Sequence, residues 1–307
     1  MTSRYASIDV GTNTVLLLVA ERRGGALLPV VERAEITRLG RGVDASGRLD
    51  AAAIRDTVAV LAAYAGEARA LGARDIVCVA TSAARDAANG AEFFEAARAA
   101  AGLVPEVISG DEEARLVYAS AWRDFGREGA GPLAVLDVGG GSTEFTHGQG
   151  PAPAGRTSLQ VGAVRLTERH VRTDPISAAE LAALRAAARE ALQPLSRMTL
   201  PAGGRLVGVA GTVTTLSAVS QALERYDGAR VHGAALSLPE TEALVERLAA
   251  LPVKGRAALP GMEPKRADVI LAGALVVAEA MRATGFDRLT VSDRGVRWGL
   301  LHDRFDG

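Results

Sequence analysis

Short apolar runs alternate along this chain with long, alanine-rich segments. Apolar runs of about four to eight residues between turn signals are typical of buried strands. The runs are YASIDV, VLLLVAE, DIVCVAT, PEVIS, LAVLDV, RLVGVA and RLTVSD. The segments between them, such as AAAIRDTVAVLAAYAGEARAL and SAAELAALRAAAREALQPLSRM, predict helices. Strands that alternate with helices predict an α/β fold.

Three of the predicted helices begin with a serine that is followed three residues later by a glutamate. This spacing fits a capping box, in which each residue satisfies a backbone amide of the other. The pairs are Ser109 with Glu112, Ser177 with Glu180, and Ser237 with Glu240.

The length of the chain predicts two domains. A chain of 307 residues corresponds to about two domains of roughly 150 residues each. The segment REGAGP, residues 127–132, interrupts the pattern with glycine and proline just before a new apolar strand. We therefore predict domains at 1–126 and 127–307. The last helix, about 295–307, could pack against the first domain.

Two short motifs repeat at the scale of a domain. SIDVGTNT near the start resembles LDVGGGST in the middle, and their aspartates, Asp9 and Asp137, are 128 residues apart. Each motif is an apolar strand, an aspartate and a turn of small residues that leads into a further strand. A repeat of this length predicts two similar halves that face each other, with a ligand in the cleft between them.

The repeated turns have the composition of anion-binding loops. Glycine lets several backbone N–H groups converge on one anion, and neighbouring hydroxyl and amide side chains add neutral donors. Asp9 and Asp137 would lie at strand ends, where they could hold Mg²⁺ beside phosphate oxygens. The alternative is two hairpin turns with solvated aspartates. Two copies at domain spacing favour the phosphate interpretation.

The segment ISGDEEARLVYA, residues 108–119, places three acidic residues in the first turn of a predicted helix. The helix dipole favours negative charge there, and Glu112 fits the capping box, so an ordinary structural explanation suffices for it. Glu113 would project about 100° further round the helix. Such a carboxylate near a phosphate could orient and deprotonate a water molecule. From spacing alone the structural explanation is favoured.

Two further junctions carry candidate phosphate ligands. In ATSAARDAANG, residues 80–90, Arg85 could bind phosphate in a bidentate manner, although pairing with Asp86 is the favoured explanation. In VGVAGTVTTLSAV, residues 207–219, the amides around Gly211 and Thr212 suit an anion at a helix N-terminus. Capping of that helix by Thr212 is an equal alternative.

Composition restricts the kind of partner. The net charge of −1 does not predict nucleic-acid or membrane-surface binding. The single cysteine, Cys78, reads as a buried core residue, and the four histidines lack metal-ligand spacing. The chain starts without an apolar signal region, and its longest apolar run, VILAGALVVA, is too short to cross a bilayer. We therefore expect a cytoplasmic protein without a membrane partner.

Other basic residues have no assigned role at this stage. Each of them, taken singly, fits a salt bridge or a solvated position, although together they could line a groove for a polyanion. They are Arg165, Lys265, Arg266, Arg294 and Arg297. Neither a GxxxxGK[ST] nor a GxGxxG fingerprint occurs, so the common nucleotide sites are not supported.

Taken in order, these motifs resemble the exopolyphosphatase and guanosine pentaphosphate phosphatase family. The segments that carry the resemblance are SIDVGTNT, ATSAARDAAN, ISGDEEARLVYA, LDVGGGSTEF, LQVGAVRLTERH, AGTVTTLSA, PKRADVILAGA and DRGVRWGLL. They cover essentially the whole chain. ISGDEEARL followed by DVGGGSTE at this separation is quite specific, whereas DVGTNT alone would recur across the superfold.

The resemblance implies two ribonuclease-H-like (actin-like ATPase) domains that face each other across an active-site cleft. It also implies Mg²⁺-dependent hydrolysis of a terminal phosphoanhydride. The family's catalytic base falls on Glu113, its metal- and water-handling carboxylates on Asp137 and Glu144, and Asp9 lies at the first loop. The predicted substrate-binding residues are Gly11, Thr12, Asn13, Arg85, Gly139, Gly140, Gly141, Ser142, Gly211 and Thr212.

The chain departs from the family pattern at a few positions. Thr12 and Thr14 replace frequent serines and keep the hydroxyl groups. Leu16 stands where a basic residue is common, and Trp298 stands where a glutamate is frequent. The chain ends near residue 307, without the extra helical domains of longer relatives, so dimerisation through those domains is not expected. A homodimer of another kind stays open.

Polyphosphate is the leading substrate, and guanosine pentaphosphate is the alternative that the same residues could serve. A sugar or acyl kinase of the same superfold would bind ATP instead, but the EEARL helix before the second loop argues against it. A non-enzymatic, actin-like assembly or switch is the remaining alternative. Neither of the last two explains Glu113 as well.

Overall fold

The computed structural model describes residues 3–126, 131–198, 200 and 203–305. It divides into two compact units. The first consists of Met1–Leu116 and Val296–Gly307, and the second of Val117–Gly295. Most of the predicted boundary segment, residues 127–130, lies outside the described residues.

The strands of both units are numbered in the order of the chain. They are β1 (Ser3–Val10), β2 (Thr14–Arg23), β3 (Ala26–Ile36), β4 (Ala73–Ala80), β5 (Glu106–Val107), β6 (Leu133–Val138), β7 (Thr143–Gly148), β8 (Gly155–Leu159), β9 (Arg205–Val209), β10 (Ala235–Ser237) and β11 (Arg288–Val291).

The helices range from single turns to five-turn segments. They are α1 (Val43–Ser46), α2 (Ala51–Ala70), α3 (Ser82–Asp86), α4 (Gly90–Ala101), α5 (Gly110–Phe125), α6 (Ala163–His170), α7 (Ala178–Leu192), α8 (Ala210–Ser220), α9 (Gly228–Val231), α10 (Leu238–Ala249), α11 (Val253–Ala257), α12 (Ile270–Thr284) and α13 (Val296–Phe305). Short 3₁₀ segments lie at Gln193–Arg197 and Pro264–Arg266.

The two units share a sheet order. In the first unit the order is β3-β2-β1-β4-β5, and in the second it is β8-β7-β6-β9-β11-β10. In each sheet an antiparallel three-stranded meander is followed by strands parallel to its first strand: β4 and β5 in one case, β9 and β11 in the other. The predicted α/β fold is confirmed, and the repeat seen in the two motifs extends to five strands of each sheet, to which the second unit adds β10 at its edge.

Each unit has its own hydrophobic core. In the second unit, α12 is buried along almost its whole length, since its apolar residues lie on all sides of the helix. This accounts for the longest apolar run of the sequence. In the first unit, α13 returns to the sheet, where Trp298 and Leu301 pack with Leu18, Ala20 and Leu27. No helix of the described residues is long and apolar enough to span a bilayer.

The sequence prediction missed β3. This strand lies at the edge of its sheet and is mostly exposed, and Pro29 interrupts its apolar residues. Pro29 lies at an irregularity of the register with β2, where a proline is tolerated. The buried position predicted for Cys78 is confirmed, and burial raises the pKa of its thiol above the usual range.

Two of the three predicted capping boxes are complete, those of α7 and α10. The third, at α5, is only half formed, so this prediction was wrong in part. The Ser109 hydroxyl accepts a bond from the Glu112 amide at 3.1 Å, as predicted. The Glu112 carboxylate instead accepts two bonds from Arg115, at 2.7 and 2.8 Å, because the arginine lies one turn further along the same face.

Candidate active site

The first glycine loop, residues 11–13, is the turn between β1 and β2. The Gly11 amide closes the turn by donating to the Thr14 carbonyl at 3.0 Å. A Cβ at Gly11 would lie 3.1 Å from that carbonyl oxygen, so glycine suits the position. The Thr12 carbonyl accepts from the Gly40 amide at 2.8 Å. Because a trans peptide directs its C=O and N–H to opposite sides, the Asn13 amide points away from residue 40.

Asp9 lies near the carboxyl end of β1 and is 8% exposed. Its Oδ1 atom has no hydrogen-bond partner within the described part of the chain. Burial raises the pKa of Asp9 to about 7, and the nearby charge of Arg297 opposes that shift. A buried carboxylate oxygen in this state suits a cation or a proton as its partner.

Arg85 and Glu113 follow the next two strands of the same sheet. Because β1, β4 and β5 are parallel, the segments after them meet at one edge. Nη1 of Arg85 donates to the Ile108 carbonyl at 2.9 Å and lies 3.9 Å from Oε2 of Glu113. Nε of Arg85 also lies 3.7 Å from Oδ1 of Asp86, so the alternative pairing with Asp86 is present.

The two adjacent glutamates at the start of α5 have different surroundings. Glu113 is 8% exposed, whereas the Glu112 side chain is 36% exposed and forms a salt bridge with Arg115. Successive helical residues differ in direction by about 100°, which separates the two carboxylates as the sequence predicted. Glu113 is therefore the buried acid of the pair.

The second glycine loop, residues 139–142, joins β6 to β7 and repeats the geometry of the first. The Gly139 amide donates to the Ser142 carbonyl at 3.1 Å, and a Cβ at Gly139 would lie 3.1 Å from that oxygen. The Gly139 and Gly140 carbonyls accept from backbone amides at the start of α6. The amides of residues 140–142 form no hydrogen bond within the described residues, so they are available to an anion.

Asp137 and Glu144 stand directly opposite each other on β6 and β7. They are 6% and 2% exposed, and a carboxylate oxygen of one lies within 4.8 Å of a carboxylate oxygen of the other. Ser158 donates to Oε1 of Glu144 at 2.7 Å, which holds that side chain in place. Two buried carboxylates this close repel each other unless a cation or proton lies with them. This oxygen donor set fits a hard cation such as Mg²⁺.

Gly211 and Thr212 lie in the first turn of α8, which follows β9. Helix α8 begins at Ala210, with Val209 as N-cap and no side-chain cap, so the alternative that Thr212 caps the helix was wrong. Ala210 has a φ of 70°, which is uncommon for a residue other than glycine. The guanidinium of Arg266 lies against Gly211, where a Cβ would be 2.2 Å from Nη1. Since β6 and β9 are parallel, this turn shares a sheet edge with the second glycine loop.

The sequence left several basic residues without a role, and the structure shows side-chain partners for Arg165, Arg294 and Arg297. Nε of Arg165 donates to the Gly141 carbonyl at 2.8 Å. Arg294 pairs with Asp124 at 2.6 Å. Sequence separation hides such contacts, since no spacing rule connects an arginine to a loop 24 residues away. Only the VGAVR segment of the family pattern hinted at Arg165.

Arg297 pairs with Glu32 on β3 at 2.6 Å. The same carboxylate accepts from the indole nitrogen of Trp298 at 3.4 Å. Trp298 therefore contacts a glutamate from a strand of the first unit.

Comparison with known proteins agrees with this architecture. The model of the Ppx/GppA phosphatase family matches residues 18–306. The protein named exopolyphosphatase 2 from Mycobacterium tuberculosis (strain ATCC 25618 / H37Rv) is 40% identical, and the alignment covers 97% of each chain.

Two solved structures extend the comparison to the fold. The Ppx/GppA family member from Aquifex aeolicus is 33% identical with a TM-score of 0.82, covering 99% of this chain and 97% of the other. An exopolyphosphatase from Cytophaga hutchinsonii is 25% identical with a TM-score of 0.89, covering 99% and 98%. The two sheets are those of the actin-like, two-domain architecture, and the chain belongs to the Ppx/GppA phosphatase family.

Proposed function

We propose that this protein is an exopolyphosphatase, a phosphoanhydride hydrolase that releases terminal orthophosphate from inorganic polyphosphate. The observation that carries the proposal is a glycine loop that occurs once in each unit, at the same place in the same sheet order. The 40% identity to a protein named exopolyphosphatase 2 supports polyphosphate as the substrate class.

Phosphate binding is assigned to the two glycine loops and the residues beside them. Backbone amides bind phosphate without a bulky side chain, so consecutive phosphates of a chain can approach closely. Gly11, Thr12 and Asn13 serve in the first unit together with Arg85. The second glycine loop, Gly211 and Thr212 serve in the second unit. These donors stay aimed before substrate arrives, which reduces the reorganisation needed in the transition state.

Asp137 and Glu144 would hold Mg²⁺, and Asp9 is a further carboxylate for metal or metal-bound water. Their burial and the short distance between the first two support this assignment. When bound, the metal neutralises charge on the phosphate that is being transferred. The carboxylates of this chain orient it, and the buried setting strengthens the interaction.

Glu113 is assigned as the general base. It takes a proton from water, the water oxygen bonds to the terminal phosphorus, and the bridging P–O bond breaks. The products are orthophosphate and a polyphosphate shorter by one phosphate. Arg85, whose Nη1 lies 3.9 Å from Oε2 of Glu113, places a positive charge beside the assigned base.

The substrate assignment is tested by phosphate release from short polyphosphate, long polyphosphate, guanosine pentaphosphate and ATP. Each reaction is run with Mg²⁺ and with a chelator. We expect release from polyphosphate with Mg²⁺ and loss of activity with the chelator. A higher kcat/KM for guanosine pentaphosphate would instead support guanosine pentaphosphate 5′-phosphohydrolase activity. Release from none of the four would contradict the hydrolase proposal.

The base is tested with Glu113→Gln, which keeps the size of the side chain and removes its basicity. We expect kcat to fall by about 10²-fold or more, because general-base catalysis contributes roughly that much. Glu112→Gln is the matched control: it changes the neighbouring glutamate, which contacts Arg115, and should leave kcat within about twofold of wild type. A fully active Glu113→Gln variant would show that another group activates water.

A further inference from the structure

The second glycine loop is attached to its unit through carbonyl groups, and one of these attachments comes from a side chain. The Gly139 carbonyl accepts from the Ala163 amide at 3.0 Å, and the Gly140 carbonyl accepts from the amides of Val164 at 2.9 Å and Arg165 at 3.1 Å. The Gly141 carbonyl accepts from Nε of Arg165 at 2.8 Å. Three consecutive peptides therefore direct their carbonyls at the start of α6.

This arrangement decides where the loop amides point. In a trans peptide the N–H is directed opposite to the C=O, so the amides of residues 140–142 point away from α6. The amides at a helix N-terminus carry partial positive charge. Here they polarise the loop peptides, and a chain of hydrogen bonds strengthens each member. The partial positive charge at the start of α6 therefore reinforces the loop amides, which are available to an anion.

Arg165 makes the last of these attachments. Backbone amides of α6 hold the first two peptides, and these bonds survive any side-chain substitution. The peptide between Gly141 and Ser142 is held through Nε of Arg165. In the first glycine loop, by contrast, backbone amides from residues 37–40 hold the Thr12 and Asn13 carbonyls.

We propose that Arg165 is a positioning residue of the second glycine loop, whose Nε–H bond to the Gly141 carbonyl aims the Ser142 amide at a bound phosphate. The inference rests on the proposed function for the nature of the substrate. Arg165 acts through the loop peptide and touches no reacting atom. Its contribution should therefore appear in phosphate binding more than in the chemical step.

Two substitutions of equal length separate the hydrogen bond from the charge. Arg165→Gln places an amide nitrogen at the position of Nε, so it keeps the donor to Gly141 and loses the charge. Arg165→Met has the same chain length and no donor. Arg169→Met is the control, since it removes an exposed arginine one turn further along the same helix. Thermal unfolding of each variant checks that the fold is intact.

The experiment measures KM and kcat for phosphate release from short polyphosphate, and binding of inorganic phosphate by calorimetry. We expect Arg165→Met to raise KM and to weaken phosphate binding on the order of tenfold, the usual effect of losing one well-aimed donor. Its kcat should change less than about threefold. Arg165→Gln should have a KM and a phosphate affinity much closer to those of wild type than Arg165→Met has. Arg169→Met should match wild type in both.

Equal losses in Arg165→Gln and Arg165→Met would overturn the proposal, because the charge rather than the bond would then matter. Wild-type phosphate binding in Arg165→Met would overturn it as well, and so would a fall in kcat at constant KM. If the wild-type protein releases no phosphate, the proposed function fails by itself. The calorimetric series with inorganic phosphate then still decides the role of Arg165.

Discussion

Asp9 is a buried acidic residue whose position is unfavourable for the charged carboxylate. Its carboxyl group is almost fully buried, and Oδ1 has no hydrogen-bond partner among the described residues. Burial disfavours the charged form, which is why the pKa of Asp9 is raised to about 7. Proteins keep such groups where a ligand compensates for the cost, and a metal ion or metal-bound water would do so here.

In the metal-free protein, the unfavourable burial of the charged Asp9 carboxylate should make the stability difference between wild type and Asp9→Asn depend on pH. Its pKa is higher in the folded state, so the folded state binds more protons than the unfolded chain between about pH 4 and 7, and stability falls as the pH rises. From pH 4 to pH 8, Asp9→Asn should gain about 4 kcal/mol in free energy of unfolding relative to wild type. Urea unfolding in the presence of a chelator measures this.

The control for this prediction is Asp75→Asn, which changes an exposed aspartate on β4 of the same unit. Its stability relative to wild type should vary little over the same pH range. If the gap between Asp9→Asn and wild type stays constant from pH 4 to pH 8, the raised pKa of Asp9 is not present in the folded protein.

Among the elements, helix α5 matters most for the proposed chemistry because it carries Glu113 in its first turn. Helix α13 approaches it through Gly299: a Cβ there would lie 2.0 Å from the Leu116 carbonyl oxygen. Arg115 adds a bond to Asp303 on α13 at 2.8 Å. The lack of a side chain at Gly299 and the ion pair between Arg115 and Asp303 therefore set the distance between α5 and α13.

We expect Gly299→Ala to force α13 and α5 apart, because the obstructing atom is backbone and cannot rotate away. The free energy of unfolding should fall by about 1–3 kcal/mol. The kcat for polyphosphate should fall as well, since displacement of α5 moves Glu113. Chemical unfolding and phosphate release measure the two effects.

Gly66→Ala is the matched control for Gly299→Ala, because Gly66 is an exposed glycine in helix α2 of the same unit, and a Cβ added there would have no neighbouring atom within 4 Å. It should stabilise the protein by about 0.5–1 kcal/mol and leave kcat unchanged. Wild-type stability and activity in Gly299→Ala would show that the two helices do not depend on this contact.

At the scale of the whole molecule, the first unit is built from two separate parts of the sequence. Its sheet comes from the first 116 residues, and α13 comes from the end of the chain. Trp298 joins the two parts: it is 2% exposed and packs with Leu18, Ala20 and Leu27. Trp298 therefore contributes to the core of the first unit.

We expect Trp298→Ala to lower the free energy of unfolding by about 3–5 kcal/mol, the usual range for removing a large buried aromatic side chain. Leu28→Ala, on the neighbouring strand β3 and 45% exposed, should change it by less than about 1 kcal/mol. Urea unfolding compares the two. Equal effects would mean that α13 contributes little to the stability of the first unit.

Much of the fold and some of the local chemistry could be predicted from the sequence. Several buried strands, such as β1, β2 and β6, were predicted because apolar runs indicate burial. The edge strand β3 was missed because Pro29 interrupts its apolar residues and most of the strand is exposed. The third capping box was predicted in full but is half formed, since a local rule does not show that Arg115 takes the Glu112 carboxylate.

The sequence by itself determined the α/β class, the repeated glycine loops and the resemblance to a phosphatase family, because these depend on residue types at short spacing. Only the tertiary structure decided that α13 completes the first unit and that the second loop is held by Arg165. It also decided that Asp137 faces Glu144 across a hairpin. These relations join residues that are far apart in the chain or paired across strands, and the folded backbone alone sets the distances between them.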